Sequence, residues 1–194
     1  MYYWAWERSQ GPMAIVKCSL DPAVPVYRGT FNPQDNTHLC VTGNNILKMY
    51  RYTEGSFKQL AFQKVEGQNY LHQAWLSADT IVCGTEAGKI LVFTGGELVS
   101  EMSLPERITC VMPLTSGFIT GTASGSITVW EQTETKHQYK QLKEVELSAN
   151  SNTMDSVHHI AVSPSEEHLV ASTSRSQLFR LALTDSEVDI LKVC

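Results

Sequence analysis

The segment GTEAGKILVF (Gly84 to Phe93) returns as GTASGSITVW (Gly121 to Trp130), with five of ten positions identical and a large aromatic residue closing each copy 37 residues apart. A chain that repeats itself at a fixed interval is built from copies of one supersecondary unit, each burying its apolar face against the next. Helical periodicity is almost absent around these copies. Short runs rich in Val, Ile, Leu, Thr, Tyr, Phe and Trp alternate instead with Gly, Asn, Asp, Ser and Pro, the pattern of strands and turns.

Four such runs flank the first copy: NYLHQAWL, DTIVCG, KILVF and ELVSEMSL. Four surround the second: ITCVMPL, GFITG, SITVW and YKQLKEVEL. An earlier set reads VYRGTF, HLCVTG, ILKMYRY and FKQLAFQ, and a later one VHHIAVSP, HLVASTS, QLFRLAL and VDILKV. The residue closing the third run falls at Trp6, Tyr50, Phe93, Trp130 and Leu181, at spacings of 44, 43, 37 and 51. Four strands on a period near forty specify blades of a WD40-type β-propeller, an all-β fold. Pro33 and Pro164 stop innermost strands, and His38-Leu39 and His168-Leu169 open the strands that follow. The long last interval takes up an insertion within Glu131 to Val157. Trp-Glu follows the third strand at Trp6-Glu7 and Trp130-Glu131, where the repeat's usual pair is Trp-Asp, so the units are divergent.

The expected organisation is one partial propeller over residues 1–194, with blades at about 25–62, 69–104, 107–147 and 157–193. Two strands of a preceding blade occupy residues 2–20. A ring of seven blades needs roughly 300 residues. The chain is therefore expected to be an open arc, a piece of a longer protein, with the Leu178, Leu181 and Leu183 face of its last blade uncovered. Such a face would take the missing blades or a second copy of the chain.

Composition narrows the partners. With 42% hydrophobic residues the chain is globular, and a net charge of −5 without a basic stripe argues against nucleic acid. The Lys136, Lys140 and Lys143 cluster is interleaved with Glu144 and Glu146. The five cysteines (Cys18, Cys40, Cys83, Cys110 and Cys194) include no C-x-x-C pair and sit mostly in apolar runs, as reduced thiols of a cytosolic protein do. The N-terminus MYYWAWERSQ lacks a basic n-region. The charge-free window Ile108 to Trp130 is broken by Pro113 and glycines into strands, so no membrane segment is expected.

The chemistry-bearing motifs resolve into turns. A phosphate-binding P-loop needs four residues between its glycines and Ser or Thr after the lysine. Three separate Gly84 from Gly88, Ile90 follows Lys89, and the second copy has Ser126 in place of the lysine. His158-His159 are neighbours on a strand, expected to point one inward and one outward. Glu166-Glu167 are expected at a solvated turn, and Ser124 and Ser126 are turn residues. A propeller-based hydrolase would need charged groups converging on the channel, where the innermost strands supply mainly Arg28, His72 and His158. No catalytic, cofactor-binding or metal-binding residue is expected, no cofactor is implied, and the partner-binding residues are not identified.

At CVTGNNILKMYRYTEG, GQNYLHQAWL and SPSEEHLVASTS the sequence resembles the cilia- and flagella-associated protein 57 family, whose members are WD-repeat proteins. The resemblance is densest over residues 26–104 and 157–181 and looser around 105–150, where the family's long insertions are shortened. It implies a non-catalytic scaffold for protein–protein interaction in the ciliary or flagellar axoneme, near inner dynein arms and their regulatory complexes. The resemblance also implies a long coiled coil after the propellers, for which this sequence carries no heptads. The alternative function is a WD-repeat adaptor in transport or ubiquitin ligation.

Overall fold

A computed structural model describes residues 1–5, 7, 11–63, 65, 67–147, 155–183 and 191–192. Among these there is no helix, and so none long and apolar enough to cross a membrane. A short hairpin pairs β1 (Tyr2–Tyr3) with β2 (Ala14–Ile15). Four sheets follow, each a four-stranded antiparallel meander. The first contains β3 (Val26–Phe31), β4 (His38–Gly43), β5 (Ile46–Thr53) and β6 (Ser56–Gln59). The second contains β7 (Tyr70–Trp75), β8 (Thr80–Thr85), β9 (Lys89–Thr94) and β10 (Glu97–Ser103). The third contains β11 (Ile108–Leu114), β12 (Gly117–Thr122), β13 (Ser126–Gln132) and β14 (Tyr139–Glu146). The last contains β15 (Val157–Val162), β16 (His168–Thr173), β17 (Leu178–Ala182) and β18 (Leu191–Lys192).

The first strands of successive sheets, β3, β7, β11 and β15, touch in order, so the sheets stand face to face around a common inner side. This is an open arc of propeller blades, as the repeat requires. Register explains the packing. Phe31, Leu39 and Tyr50 lie opposite one another in the first sheet, and Trp75, Ile81 and Phe93 in the second. Pro113, Phe118 and Trp130 do so in the third, and Val162, Leu169 and Leu181 in the fourth. The four residues closing the third strands are therefore equivalent, and all are buried. Trp130 stacks on Phe118 at 6.0 Å, and its Nε1 donates to Thr120 Oγ1 at 2.9 Å.

Strands β8 and β12 are buried along their whole length because a neighbouring sheet covers each face. Ile81 and Cys83 pack toward the first sheet, and Val82 packs toward the third. Fully burying one such side chain is worth roughly 1.5–3 kcal/mol. In β16 the pattern alternates: Leu169 and Ala171 are buried against the third sheet, whereas Val170 is 43% exposed. Only one face of the last sheet is covered.

That alternation corrects the expectation for the open face. Leu181 is 2% exposed and packs inward with Leu169 and Phe179, and Leu183 is half-buried. Of the three leucines only Leu178, at 41%, lies open, because the period of two places residues 179 and 181 on the opposite side. Two strands also differ in length from the sequence reading. β6 ends at Gln59, and Leu60 and Phe62 cross over to pack on the second sheet, where Gln63 N donates to Gly96 O at 2.7 Å. The N-terminal pair is reduced to two short strands, and Trp6 lies outside the described residues, as do residues 148–154 of the insertion, 184–190 and 193–194. The hairpin lies on the first sheet, where Val16 and Cys18 pack with Leu39, Val41 and Tyr50.

Candidate functional site

The repeated GT-x-x-G turn has a structural purpose in both copies. Thr85 Oγ1 accepts the Lys89 N–H at 2.9 Å, and Thr122 Oγ1 accepts that of Ser126 at 3.1 Å. Gly88 and Gly125 take positive φ values of 78° and 89° at the turn. The last sheet has a third, divergent copy, in which Ser176 adopts φ 58° and Thr173 N donates to Gln177 O. Lys89 forms a 2.7 Å ion pair with Glu101 on the adjacent strand, away from any cradle of backbone amides.

Contacts between blades join the turns. Asn32, 1% exposed, donates from Nδ2 to Ala78 O at 2.7 Å, tying the β3–β4 turn to the β7–β8 turn. Glu166 is not a purely solvated tip: Oε1 accepts from Thr115 N at 2.8 Å and from Thr115 Oγ1 at 2.9 Å, clasping the third and fourth sheets. The Glu167 carboxylate accepts from Ser165 Oγ at 3.1 Å, and its backbone O from Leu183 N at 2.8 Å. Ser124 Oγ pairs with Thr122 Oγ1, and Ser126 is buried at the start of β13. A pair that the sequence reading missed is Asp35–His38, 2.8 Å apart within a turn that Thr37 closes from N and Oγ1. The bonds from Thr37 hold the Asp35 carboxyl down at about 2.

The innermost strands share one irregularity. Each has a register shift near its start, and the residue after it pairs in the same way: Arg28 with Thr42, His72 with Gly84, Cys110 with Gly121 and His159 with Ser172. A bulge leaves one residue unpaired and redirects its neighbours. It also explains why His158 and His159 are both exposed, rather than one inward and one outward, with ring centroids 6.5 Å apart. His72 Nδ1 accepts the Val111 N–H at 3.2 Å. Burial, the Arg28 charge and then His159 push the His72 imidazole down to about 3. Burial raises the Cys110 thiol to about 12, so it stays protonated. Cys18, Cys40 and Cys83 are likewise free and buried, and Cys194 lies outside the described residues. Among the described residues no cluster of three His, Cys, Asp or Glu side chains has metal-binding geometry.

Two exposed apolar regions bracket the arc. Tyr2, Trp4, Ile15, Val26, Tyr27 and Phe31 lie at the first-sheet end, and Val170 and Leu178 at the last. Val26 is 43% exposed, whereas its equivalents Tyr70, Ile108 and Val157 are buried beneath the preceding sheet. A groove of about 590 Å³, lined by Leu47, Leu60, Phe62, Val65 and Tyr70, opens where the first and second sheets join.

This arrangement of stacked four-stranded meanders, with exposed apolar ends and a shared inner row, defines the chain as a partial β-propeller. The β-propeller domain of Cps50 (Swd1) from Myceliophteria thermophila superposes with a TM-score of 0.74 at 14% identity, over 88% of this chain and 61% of that one. The computationally designed protein Ika8 superposes with a TM-score of 0.63 at 15% identity, over 84% of this chain and 47% of that one. In sequence, the cilia- and flagella-associated protein 57 of Mus musculus is 27% identical over 241 residues, covering 97% of this chain and 19% of the relative. That of Tetrahymena thermophila, form A, is 24% identical over 82% of this chain and 14% of its own length. A family model described as the middle region of ciliary BBSome complex subunit 2 matches residues 76–171. The chain is related to the cilia- and flagella-associated protein 57 family, which bears out the resemblance in its strand motifs. It spans about a fifth or less of the length of these curated relatives.

Proposed function

We propose that the chain is a non-catalytic WD-repeat scaffold for protein–protein interaction in the ciliary or flagellar axoneme, near inner dynein arms and their regulatory complexes. The observation that carries this reading is the coincidence of relatives named for cilia and flagella with a propeller arc that exposes apolar surface at both ends. Rigid propeller loops and faces bind proteins through shape and apolar contact, without new chemistry. The match of residues 76–171 to a ciliary complex subunit agrees with membership of a multi-protein ciliary assembly. Two of the polar groups serve contacts between blades, His72 Nδ1 accepting from Val111 N–H and Glu166 Oε1 from Thr115.

The test is localisation and capture in ciliated cells. The tagged chain is expected along the axoneme and in the detergent-insoluble fraction, and inner-arm dynein subunits should copurify with it. Restriction to the cytosol, with no axonemal protein captured, overturns the proposal. Copurification with a ubiquitin ligase or a transport complex instead would favour the adaptor reading.

A further inference from the structure

The inner junction of the first two sheets holds polar groups with nothing to bond to. Arg28 Nε is closed to solvent and has no hydrogen-bond partner, and Arg28 makes no ion pair among the described residues. Thr42 lies opposite Arg28 in register, is 0% exposed, and also has an unpartnered Oγ1. Leaving a buried donor unmade costs free energy, and partly burying an uncompensated charge costs more. Such groups in a native fold require an explanation, and an unseen ligand is one.

His72 completes the picture. Its Nδ1 is occupied as an acceptor by the Val111 N–H, so the remaining proton sits on Nε2, which makes that atom a donor. Arg28 and His72 hold equivalent register positions on the touching strands β3 and β7. The Arg28 charge acts on His72, as does His159 from the fourth sheet, and Cys110 of the third sheet acts on Arg28. No carboxylate contributes to the field at either residue. An acidic chain, with a net charge of −5, has gathered Arg28, His72 and His159 here around a thiol and a hydroxyl, without a carboxylate.

We propose that Arg28 and His72, with Thr42 beside them, form a site for one oxyanion, a carboxylate or a phosphate, at the inner end of the first two blades. The guanidinium supplies charge and a fork of N–H donors, which suits planar or tetrahedral oxyanions. His72 Nε2–H supplies a fixed neutral donor. Arg28 is half-buried, and His159, which acts on His72, is exposed, so the site can be reached by an anion carried on a peptide as well as by a free one.

The experiment is calorimetric titration of the purified chain at constant ionic strength with two probes, inorganic phosphate and the peptide Gly-Glu-Gly-Glu. The His72 ring resonances are followed in parallel by NMR. Binding of either probe is expected, with the His72 signals shifting on addition. Phosphate alone binding identifies a free-anion site, and the peptide alone binding identifies a carboxylate borne by a protein segment. Arg28→Gln should weaken binding at least tenfold while keeping a cooperative melt, since it removes an unpaired cation. Arg28→Lys should recover part of the affinity. Neither probe binding, or unchanged affinity in Arg28→Gln, overturns the proposal. Should Arg28→Gln not melt cooperatively, unchanged affinity in Arg28→Lys together with unmoved His72 signals overturns it equally.

Discussion

Ile108 lies so close over Gly84 that a Cβ at residue 84 would stand 2.4 Å from Ile108 Cγ2. Val157 covers Gly121 in the same way, with Cγ1 2.8 Å from the position of an added Cβ. The first glycine of each repeated segment is therefore where the next blade seats its first strand. Gly84→Ala is expected to destabilise the chain by about 1–3 kcal/mol through overpacking. Urea denaturation should show a lowered midpoint, and Gly121→Ala a similar one. A midpoint unchanged in both variants would mean that the sheets do not stack in this way.

Trp130 should carry one of the largest single contributions in the third blade. It is buried, stacked on Phe118 and hydrogen-bonded to Thr120. Trp130→Ala is expected to cost about 3–5 kcal/mol by leaving a cavity, with Phe93→Ala in the same range. Thr120→Val should cost less, about 1–3 kcal/mol, by stranding the indole N–H. Equal and small losses for all three would contradict their burial.

His72 makes stability depend on pH. The imidazole ionises near 6.5 when unfolded and near 3 when folded, so between those values only the unfolded chain takes up the proton. Stability should fall as pH drops from about 6.5 toward 3, with a slope of up to about 1.4 kcal/mol per pH unit from this residue. His72→Gln should flatten that part of the profile. Denaturation series between pH 7 and 4 on both proteins decide it, and parallel profiles would exclude His72 as the cause.

Lys89 is expected to matter little. Its ion pair with Glu101 is exposed, and such pairs contribute about 0–1 kcal/mol. Lys89→Ala should leave the melt and partner capture nearly unchanged. Stoichiometric ATP binding by calorimetry, lost in this variant, would restore the phosphate-loop reading.

The uncovered apolar ends should make the purified chain associate. Val170 and Leu178 form the exposed row of the last sheet, with Arg180 between them in register. Light scattering at micromolar concentration is expected to give more than the 21.6 kDa of one chain. The double variant Val170→Glu and Leu178→Glu should shift the mass toward the monomer. A monomeric wild-type chain with one sharp melt would show that the ends are not adhesive.

Much of the arc was legible because its determinants are local. VYRGTF, HLCVTG and ITCVMPL became strands over those very residues, since β-branched and aromatic runs bounded by turn residues need little from elsewhere in the chain. The series Tyr50, Phe93, Trp130 and Leu181 was visible as a spacing before it proved to be a shared register position. Glu166 lies in the expected surface turn, but its bond to Thr115 was not legible, because nothing near it in sequence announces a partner 51 residues away.

The sequence by itself determined the unit, its period and the strands that make a blade, because alternation and turn chemistry act over a few residues. Only the tertiary structure decided which side of each strand is covered. Leu181 is buried and Leu178 is open because one neighbouring sheet, not two, packs on the last blade. It also decided that Arg28, His72, Cys110 and His159 share one row. A bulge repeated at the start of every inner strand shifts the pairing there, and its effect appears only once the sheets are assembled.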